Sequence, residues 1–381
     1  MRMKPSSWQV LLFAACLFAT AGAQAQAGPT TLQAAAKHEA DCRAGDGEAC
    51  WVIGRWYRGG IRLPQDLGRA RDLLGLGCAR RNARACDELQ EMNFESGVAR
   101  QVAEAEAYYS ARCDAGDANQ CMRLANHFVE GKKVAADPAK ARAYAGKACN
   151  LDAERGCFIA GVYAAQGQGG PVDGRAAARD LGRACRGGEN TACMALQQIA
   201  QDGQLIPADG EMAISAAESA CGRDFIDGCL AAATIAYRGA GKLAPDADRV
   251  RKNAARACEL KDARGCLMLE EIARTGFMGR PVDLAAAAEA SQKGCALGNL
   301  DACRLTVMHA AQTGDKDAIG KALLQACHGG VADACVDLAQ MLASGDGVEK
   351  NTMAAGLYLI RALKIDPSHE RAKALQAQLK D

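Results

Sequence analysis

The stretch Cys113-Asp-Ala-Gly-Asp-Ala-Asn-Gln-Cys121 places two cysteines eight positions apart around seven small or polar residues. The same Cys-x7-Cys spacing occurs nine times and uses every cysteine except Cys16. The first cysteines of successive pairs lie 36, 35, 36, 36, 36, 37, 37 and 32 residues apart. A nearly constant period in this range is typical of a solenoid, in which each repeat packs on its neighbours. The pairs are Cys42 and Cys50, Cys78 and Cys86, Cys113 and Cys121, Cys149 and Cys157, Cys185 and Cys193, Cys221 and Cys229, Cys258 and Cys266, Cys295 and Cys303, and Cys327 and Cys335.

Each repeat has the pattern of two helices. From Cys121 to Phe128 the apolar residues fall at positions 0, 3, 4 and 7, which is one face of a helix. Asp137-Pro138 then supplies an N-cap and a first-turn proline for a second helix. An Asp or Asn recurs 16 or 17 residues after the second cysteine in seven repeats: Asp66, Asp137, Asp173, Asp209, Asp246, Asp283 and Asn351. We therefore predict an all-α fold, an α/α superhelical solenoid of about nine tetratricopeptide-like two-helix repeats.

The cysteine pairs predict disulfide bridges. Each pair would join the second helix of one repeat to the first helix of the next. Eighteen cysteines at one spacing in an exported chain indicate an oxidising compartment. Structural zinc is the alternative, but zinc ligands usually lie two to four residues apart, and the sequence contains no Cys-x-x-Cys. We expect no metal and no cofactor.

The N-terminus has the pattern of a secretory signal peptide. Arg2 and Lys4 precede an apolar run from Trp8 to Thr20, and small residues follow. We predict a signal peptide over residues 1–25, with cleavage after Ala25 or Ala27. Lipidation at Cys16 is an alternative. The protein is therefore expected to be periplasmic or secreted, and no apolar stretch reaches the ~20 residues of a membrane-spanning helix.

The repeats predict the remaining organisation of the chain. We expect an N-terminal capping helix over 28–42, tandem repeats over 43–365 and a C-terminal capping helix over 366–381 that starts at Asp366-Pro367. The repeat between Cys303 and Cys327 is short and leaves little room for a loop between its helices.

The charge balance argues against a nucleic-acid partner. The chain has 46 basic and 45 acidic residues, and removing Arg2 and Lys4 with the signal peptide leaves 44 against 45. Binding of nucleic acid needs a basic surface, which this near-neutral composition does not suggest. Aromatic residues make up only 4% of the chain. We expect the protein to be a monomer that binds a protein or peptide ligand.

Two stretches resemble the Sel-one-like repeat, whose pattern is Leu-Gly-x-x-Tyr-x-x-Gly-x-Gly-Val-x-x-Asp. They are Cys50-Trp-Val-Ile-Gly-Arg-Trp-Tyr57, which continues to Asp66, and Ser344-Gly-Asp-Gly-Val348, which leads to Asn351. With the Cys-x7-Cys pairs, the whole mature chain resembles the Helicobacter cysteine-rich protein family. The family glycine is kept at Gly54 and Gly161, becomes Ala at Ala125 and Ala339, and is lost at Gln90, Gln197 and Glu270.

The resemblance implies an exported adaptor that binds proteins or peptides. It also brings a second possibility, weak penicillin binding or β-lactam hydrolysis, which is described for some members. A serine β-lactamase needs Ser-x-x-Lys and Lys-Thr-Gly, and the sequence contains neither. Arg274-Thr-Gly276 is the nearest match. The five histidines form no metal-site motif, so we predict no catalytic residue.

The candidate binding surface lies on the first helices of the repeats. Positions 1, 5 and 8 after the second cysteine should point into the concave groove of a solenoid, and aromatic and arginine side chains are the usual interface anchors. An alternative is that the aromatic side chains only pack between repeats. A further alternative is a structural protein of the envelope or the peptidoglycan. The candidate residues are Trp51, Arg55, Arg58, Glu91, Phe94, Asn126, Tyr237 and Arg274.

Overall fold

The predicted all-α solenoid is confirmed. The computed structural model describes residues 29–379, which form twenty α-helices and no strand apart from one isolated bridge between Ala240 and Leu243. The helices follow one another as a lone helix, nine helix pairs and a final helix. Within residues 29–379 no helix is long and apolar enough to cross a membrane.

The helix bounds follow the repeat. The terminal helices are α1 (Pro29–Ala44) and α20 (Glu370–Gln378). The first helices of the nine repeats are α2 (Gly47–Gly59), α4 (Ala83–Glu95), α6 (Ala118–Glu130), α8 (Glu154–Gln166), α10 (Asn190–Asp202), α12 (Ile226–Arg238), α14 (Ala263–Thr275), α16 (Leu300–Thr313) and α18 (Ala332–Ser344). The second helices are α3 (Leu67–Ala79), α5 (Ala99–Asp114), α7 (Pro138–Asn150), α9 (Gly174–Arg186), α11 (Gly210–Cys221), α13 (Ala247–Glu259), α15 (Leu284–Ala296), α17 (Lys316–His328) and α19 (Thr352–Ile365).

The chain divides into two compact segments, one up to Tyr108 and one from Tyr109 onward. We call their described parts the N-terminal segment (29–108) and the C-terminal segment (109–379). The core of the N-terminal segment includes Ile53, Leu73 and Leu74, which are almost fully buried. The C-terminal segment contains several separate cores, each formed by neighbouring repeats. Such serial cores are expected where each repeat packs only on the next.

The seven predicted caps all begin second helices. The side chain of Asp66 accepts a hydrogen bond from the Arg69 amide at 2.9 Å. Asp137 accepts two such bonds at 3.0 Å, and Pro138 is the first residue of α7. The same role is observed for Asp173, Asp209, Asp246, Asp283 and Asn351. Each cap stabilises its helix by about 1 kcal/mol, because it satisfies an otherwise unpaired backbone N–H.

All nine predicted Cys-x7-Cys pairs are observed as disulfide bonds. Their Cα atoms lie 4.3–4.8 Å apart, and each bond joins the end of a helix to the first turn of the next. The cysteines of the described residues are therefore not zinc ligands. Nine disulfides indicate an oxidising, extracytoplasmic environment. The bonds join Cys42 to Cys50, Cys78 to Cys86, Cys113 to Cys121, Cys149 to Cys157, Cys185 to Cys193, Cys221 to Cys229, Cys258 to Cys266, Cys295 to Cys303 and Cys327 to Cys335.

The second cysteine of each pair is buried in the first turn of its helix. Cys193, Cys229 and Cys335 have no exposed surface, and Cys157 is only 2% exposed. The sulfur of Cys193 also accepts a hydrogen bond from the Arg223 guanidinium at 2.9 Å. The bridges are thus part of the packed interior of the repeats.

A single tight turn lies inside every disulfide loop. The third residue after each first cysteine has a positive φ and donates its amide to the carbonyl of that cysteine, as Gly298 does to Cys295 at 2.8 Å. Glycine is the residue best suited to this conformation. Five turns have glycine, and the other four have Arg81, Asp152, Asp224 and Lys261. The loop closed by the disulfide therefore has the same backbone turn at every junction.

Five of the nine disulfide junctions leave no room for a second methyl group between their helices. The residue before the first cysteine faces the residue before the second, and in five junctions one of the two is Gly and the other Ala. A Cβ atom added to Gly294 would lie 2.8 Å from the Cβ of Ala302, closer than real Cβ contacts allow. Each of these five junctions therefore has room for only one methyl group between its two helices. The five pairs are Gly77 and Ala85, Ala148 and Gly156, Ala220 and Gly228, Ala257 and Gly265, and Gly294 and Ala302.

The position of the family glycine is filled in different ways in different repeats. At Gly54 an added Cβ would lie 2.6 Å from the side chain of Leu74, so glycine allows α3 to pack closely. At Glu270 a buried carboxylate occupies the position instead. Its Oε1 accepts a hydrogen bond from Arg274 at 2.8 Å and lies 3.0 Å from Nε2 of His309 in the next repeat. The lost glycine is thus replaced by a polar network.

The ends of the array differ from the sequence expectation in detail. The prediction that the last helix starts at Asp366 is wrong, because α20 begins at Glu370. The Asp366 carboxylate accepts hydrogen bonds from the amide and hydroxyl of Ser368, which forms a side-chain turn, and His369 caps the helix. In the region of the predicted N-terminal capping helix (28–42), the structure has α1, which spans Pro29–Ala44. The predicted signal peptide and Cys16 lie outside the described residues. In the short repeat, only Gly314 and Asp315 separate α16 from α17.

Candidate functional site

The strongest cluster of predicted binding residues lies on α2 in the N-terminal segment. Asp46 caps this helix by accepting hydrogen bonds from the amides of Glu48 and Ala49, at 2.9 and 3.1 Å. One face of α2 is buried against α3. The other face carries Trp51, which contacts Arg84 in the first turn of α4, and Arg55, which lies over the Trp51 ring. The helix thus fixes both side chains on a rigid element.

Trp51 lies beside two guanidinium groups. The Cζ atoms of Arg55 and Arg84 lie 5.1 and 4.9 Å from the centre of its ring. Both distances are within the range of cation–π attraction, which contributes about 0.5–1 kcal/mol at exposed sites. Arg84 also forms an ion pair with Glu48 at 2.9 Å, whereas Trp51 is the only contact observed for Arg55 among the described residues. Arg55 is exposed, so its charge is available to a ligand.

A second aromatic–arginine pair lies next to the first. The Arg62 guanidinium carbon lies 4.7 Å from the ring centre of Trp56, and this arginine has no other observed partner within residues 29–379. The ring of His38 meets Trp56 edge-on at 5.4 Å. Both tryptophans pack partly against the core of the segment. The packing role that was the alternative for Trp51 is therefore observed in part, and its interface role stays a prediction.

Arg58 connects the first helices of two repeats. Its guanidinium forms ion pairs with Glu88 at 2.5 Å and Glu95 at 2.8 Å on α4. Partial burial opposes the charge, but the two carboxylates outweigh it and raise the pKa of Arg58. The side chain is only 21% exposed. Arg58 therefore joins α2 to α4 at the site, and its charge is already paired with two carboxylates.

These side chains enclose a groove, which we call the tryptophan groove. Its volume is about 410 Å³, within the roughly 300–1,000 Å³ of ligand sites in proteins. Ile61 is 78% exposed at its edge. Among the lining residues are three arginines and one carboxylate, and that carboxylate is paired. The lining residues are Trp51, Val52, Arg55, Trp56, Arg58, Gly59, Ile61, Arg62 and Glu88.

The other predicted residues do not join this groove. Phe94 is fully buried, so its prediction as a surface anchor is wrong. Position 8 lies 80° around the helix from the cysteine, since each residue turns about 100°, and it therefore borders the buried face. Glu91 is half-buried on α4, and Asn126 is exposed on α6.

Two predicted residues of the C-terminal segment have partners of their own. Tyr237 stacks on Phe277 with ring centres 4.5 Å apart, and its hydroxyl donates to Glu271 at 2.9 Å. The hydrogen bond to Glu271 raises the pKa of this phenol, with a smaller contribution from burial. Arg274 is bound to Glu270, as described above. Tyr237 thus joins its repeat to the next one, whereas the ion pair of Arg274 lies within α14.

Sequence reasoning missed Trp56, Arg62 and Arg84. Trp56 falls at position 6, outside the three positions considered. Arg62 lies in the loop after α2, and Arg84 lies two residues before Cys86 in the first turn of the next repeat. The density of Trp and Arg between positions 51 and 62 was the one available signal. Within the described residues, no group of His, Cys, Asp and Glu could hold a metal ion.

The helix pairs, their period and the junction disulfides define the class of this protein: a disulfide-bridged α/α solenoid of two-helix repeats. No family model matches the chain, and no curated protein matches it in sequence. Similar solved structures include the following two. One is a protective antigen of uropathogenic Escherichia coli strains that displays an SLR fold, with 18% identity and a TM-score of 0.46 over 91% of this chain and 82% of that one. The other is a Sel1 repeat protein from Oxalobacter formigenes, with 19% identity and a TM-score of 0.49 over 92% of each chain.

Proposed function

We propose that this protein is an exported, non-catalytic scaffold that binds a protein or peptide partner through the first helices of its repeats. The observation that supports this most directly is the tryptophan groove. There, two partly exposed indole rings lie beside guanidinium groups on one rigid helix and the loop after it. Tryptophan and arginine are the residues most often responsible for binding energy at protein interfaces.

Export is proposed on two grounds. Disulfides form and persist outside the cytoplasm, and residues 1–25 have the pattern of a signal peptide. N-terminal sequencing of the protein recovered from the periplasm or the medium tests this. Export with processing predicts a new terminus at Gln26 or Gly28. A protein that keeps Met1 and free thiols would contradict it.

A pull-down from envelope extracts tests partner binding. The wild-type protein should retain one protein partner, and both Trp51→Ala and Arg55→Glu should lose it. Phe158 is a suitable control, since it lies half-buried on α8 with a cation–π contact to Arg155, and Phe158→Ala should retain the partner. Retention on purified peptidoglycan by all variants alike would instead favour a structural protein of the envelope.

A further inference from the structure

We infer that the tryptophan groove selects a peptide segment with acidic side chains next to apolar ones. This inference rests on the proposed function, which it deepens by stating the chemistry of the ligand. The groove has two features that a ligand must match. Trp51, Val52, Trp56 and Ile61 supply apolar surface, and Arg55 and Arg62 supply positive charge.

The charge on the groove is not neutralised by the described part of the protein. Arg58 is paired with Glu88 and Glu95, and Arg84 is paired with Glu48. Arg55 and Arg62 contact only indole rings there, which attract a cation without cancelling its charge. Since Glu88 is the one carboxylate that lines the groove, a basic ligand would meet repulsion there. An acidic ligand would gain two charge-assisted hydrogen-bonding sites.

The two free arginines favour acidic side chains over the carboxylate at a chain end. Arg55 on α2 stacks on Trp51, and Arg62 on the following loop stacks on Trp56, so a ligand with two anionic groups can pair each arginine where it is held. A chain terminus supplies one carboxylate, whereas a segment with two Asp or Glu residues supplies both. Stacking on the indole rings also restrains the two guanidinium groups before the ligand arrives, which lowers the entropy lost on binding.

The corresponding surface in the C-terminal segment has different chemistry. A groove of about 270 Å³ there is lined by side chains of α8, α9 and α10, and Asp202 is its one charged lining residue. At the fifth position after the second cysteine, where the N-terminal groove has Arg55, this surface has Val162 and Gln198. The preference for acidic segments is therefore a property of the N-terminal segment and not of the repeat in general.

Fluorescence anisotropy with labelled peptides tests the inference on the oxidised mature chain. Three peptides with blocked termini alternate leucine with glutamate, glutamine or lysine. The glutamate peptide should bind at least about tenfold more tightly than the glutamine peptide at low salt, and the advantage should shrink as ionic strength rises. Arg55→Ala and Arg62→Ala should each weaken binding of the glutamate peptide about tenfold. Arg155→Ala is the control, because this exposed arginine lies 5.9 Å from the Phe158 ring outside the groove, and it should change nothing.

The outcomes separate the inference from the proposed function. Equal binding of the glutamate and glutamine peptides, with loss in Trp51→Ala, would overturn the acidic preference and leave the scaffold role intact. Binding of the glutamate peptide that is unchanged in both arginine variants would overturn the inference as well. A single-stranded oligothymidylate that binds as tightly as the peptide would show attraction to any polyanion, which also contradicts it. If the pull-down retains no partner and none of the peptides binds, both proposals fail. Circular dichroism of each variant confirms that the helices are intact.

Discussion

Exchanging the glycine and the alanine of one disulfide junction is the sharpest test of how the repeats pack. In Gly294→Ala the new methyl would lie 2.8 Å from the Cβ of Ala302, which is fully buried. The next nearest atoms are the Cβ of Cys266 at 3.4 Å and the carbonyl oxygen of Ala263 at 3.9 Å. The clash is therefore confined to one pair of methyl groups, so removing the second methyl should relieve it.

The expected free energies follow from this geometry. Gly294→Ala gains about 1 kcal/mol of helix propensity and loses about 1–3 kcal/mol by overpacking, so a net loss of about 1 kcal/mol is expected. Ala302→Gly loses about 1 kcal/mol of propensity and about 0.8 kcal/mol of methyl burial. The double variant keeps one Ala, one Gly and one methyl, and should be destabilised by no more than about 1 kcal/mol. The coupling between the two changes is then about 2 kcal/mol, well above the roughly 0.5 kcal/mol scatter of independent sites.

Native-state hydrogen exchange of amides in α15 and α16 measures these values locally, which suits an array that need not unfold in one step. Gly146→Ala is the matched control, because this mid-helix glycine of α7 has no atom within 4 Å of the added Cβ. It should gain about 0.5–1 kcal/mol from propensity alone. If the free-energy changes of Gly294→Ala and Ala302→Gly simply add in the double variant, the junction does not limit the space to one methyl group.

Three further predictions concern the disulfide bonds and the carboxylates of Glu270 and Asp262. Reduction of the disulfides should lower the thermal midpoint strongly, since a nine-residue loop contributes about 2.6 kcal/mol in the chain-entropy model; equal midpoints with and without reductant in thermal melts would contradict it. Glu270→Leu leaves the buried His309 without its hydrogen-bond partner and should lower the free energy of unfolding, measured by urea denaturation, by about 1–3 kcal/mol. Glu271→Ala, at an exposed position, should lower it by less than about 1 kcal/mol, and equal losses in the two variants would argue against the network. The hydrogen bond from the Arg264 side chain, against the effect of burial, lowers the pKa of Asp262. The charge of Asp262 therefore stabilises the protein above the ordinary carboxyl pKa of about 3.9 and ceases to do so as pH falls through the lowered value, so the stability difference from Asp262→Asn should vanish on acidification. A difference that persists at low pH would show that the charge is not responsible.

Local signals in the sequence predicted most of the fold. The caps from Asp66 to Asn351 and all nine disulfides were identified because each depends on residues close together in the chain. Asp366 had the same local signal but caps no helix, since Ser368 competes for its carboxylate. Phe94 was assigned to the surface because the helical pattern places position 8 near the boundary between the exposed and buried faces, and an apolar ring there turns inward.

The groove and the polar network were harder to predict because their contacts join distant residues. Arg84 reaches Trp51 from the next repeat, and Arg62 reaches Trp56 from a loop that has no periodic pattern. Glu270 and His309 are 39 positions apart and meet only when two repeats stack. Only the pair of Trp56 and Arg62 lies within a single repeat, and no helical periodicity marks the loop position of Arg62.

The eight-residue separation within every bridge has a consequence for biogenesis. Eight cysteines already allow 105 pairings, yet here the correct partner of each odd-numbered cysteine of the mature chain is the next one to be synthesised. A chain that enters an oxidising compartment from its N-terminus can complete one bond before the following pair emerges, so an isomerase has no scrambled bonds to correct. A product truncated between the two helices of one repeat carries no orphan thiol, and so has no cysteine available to crosslink it to other proteins.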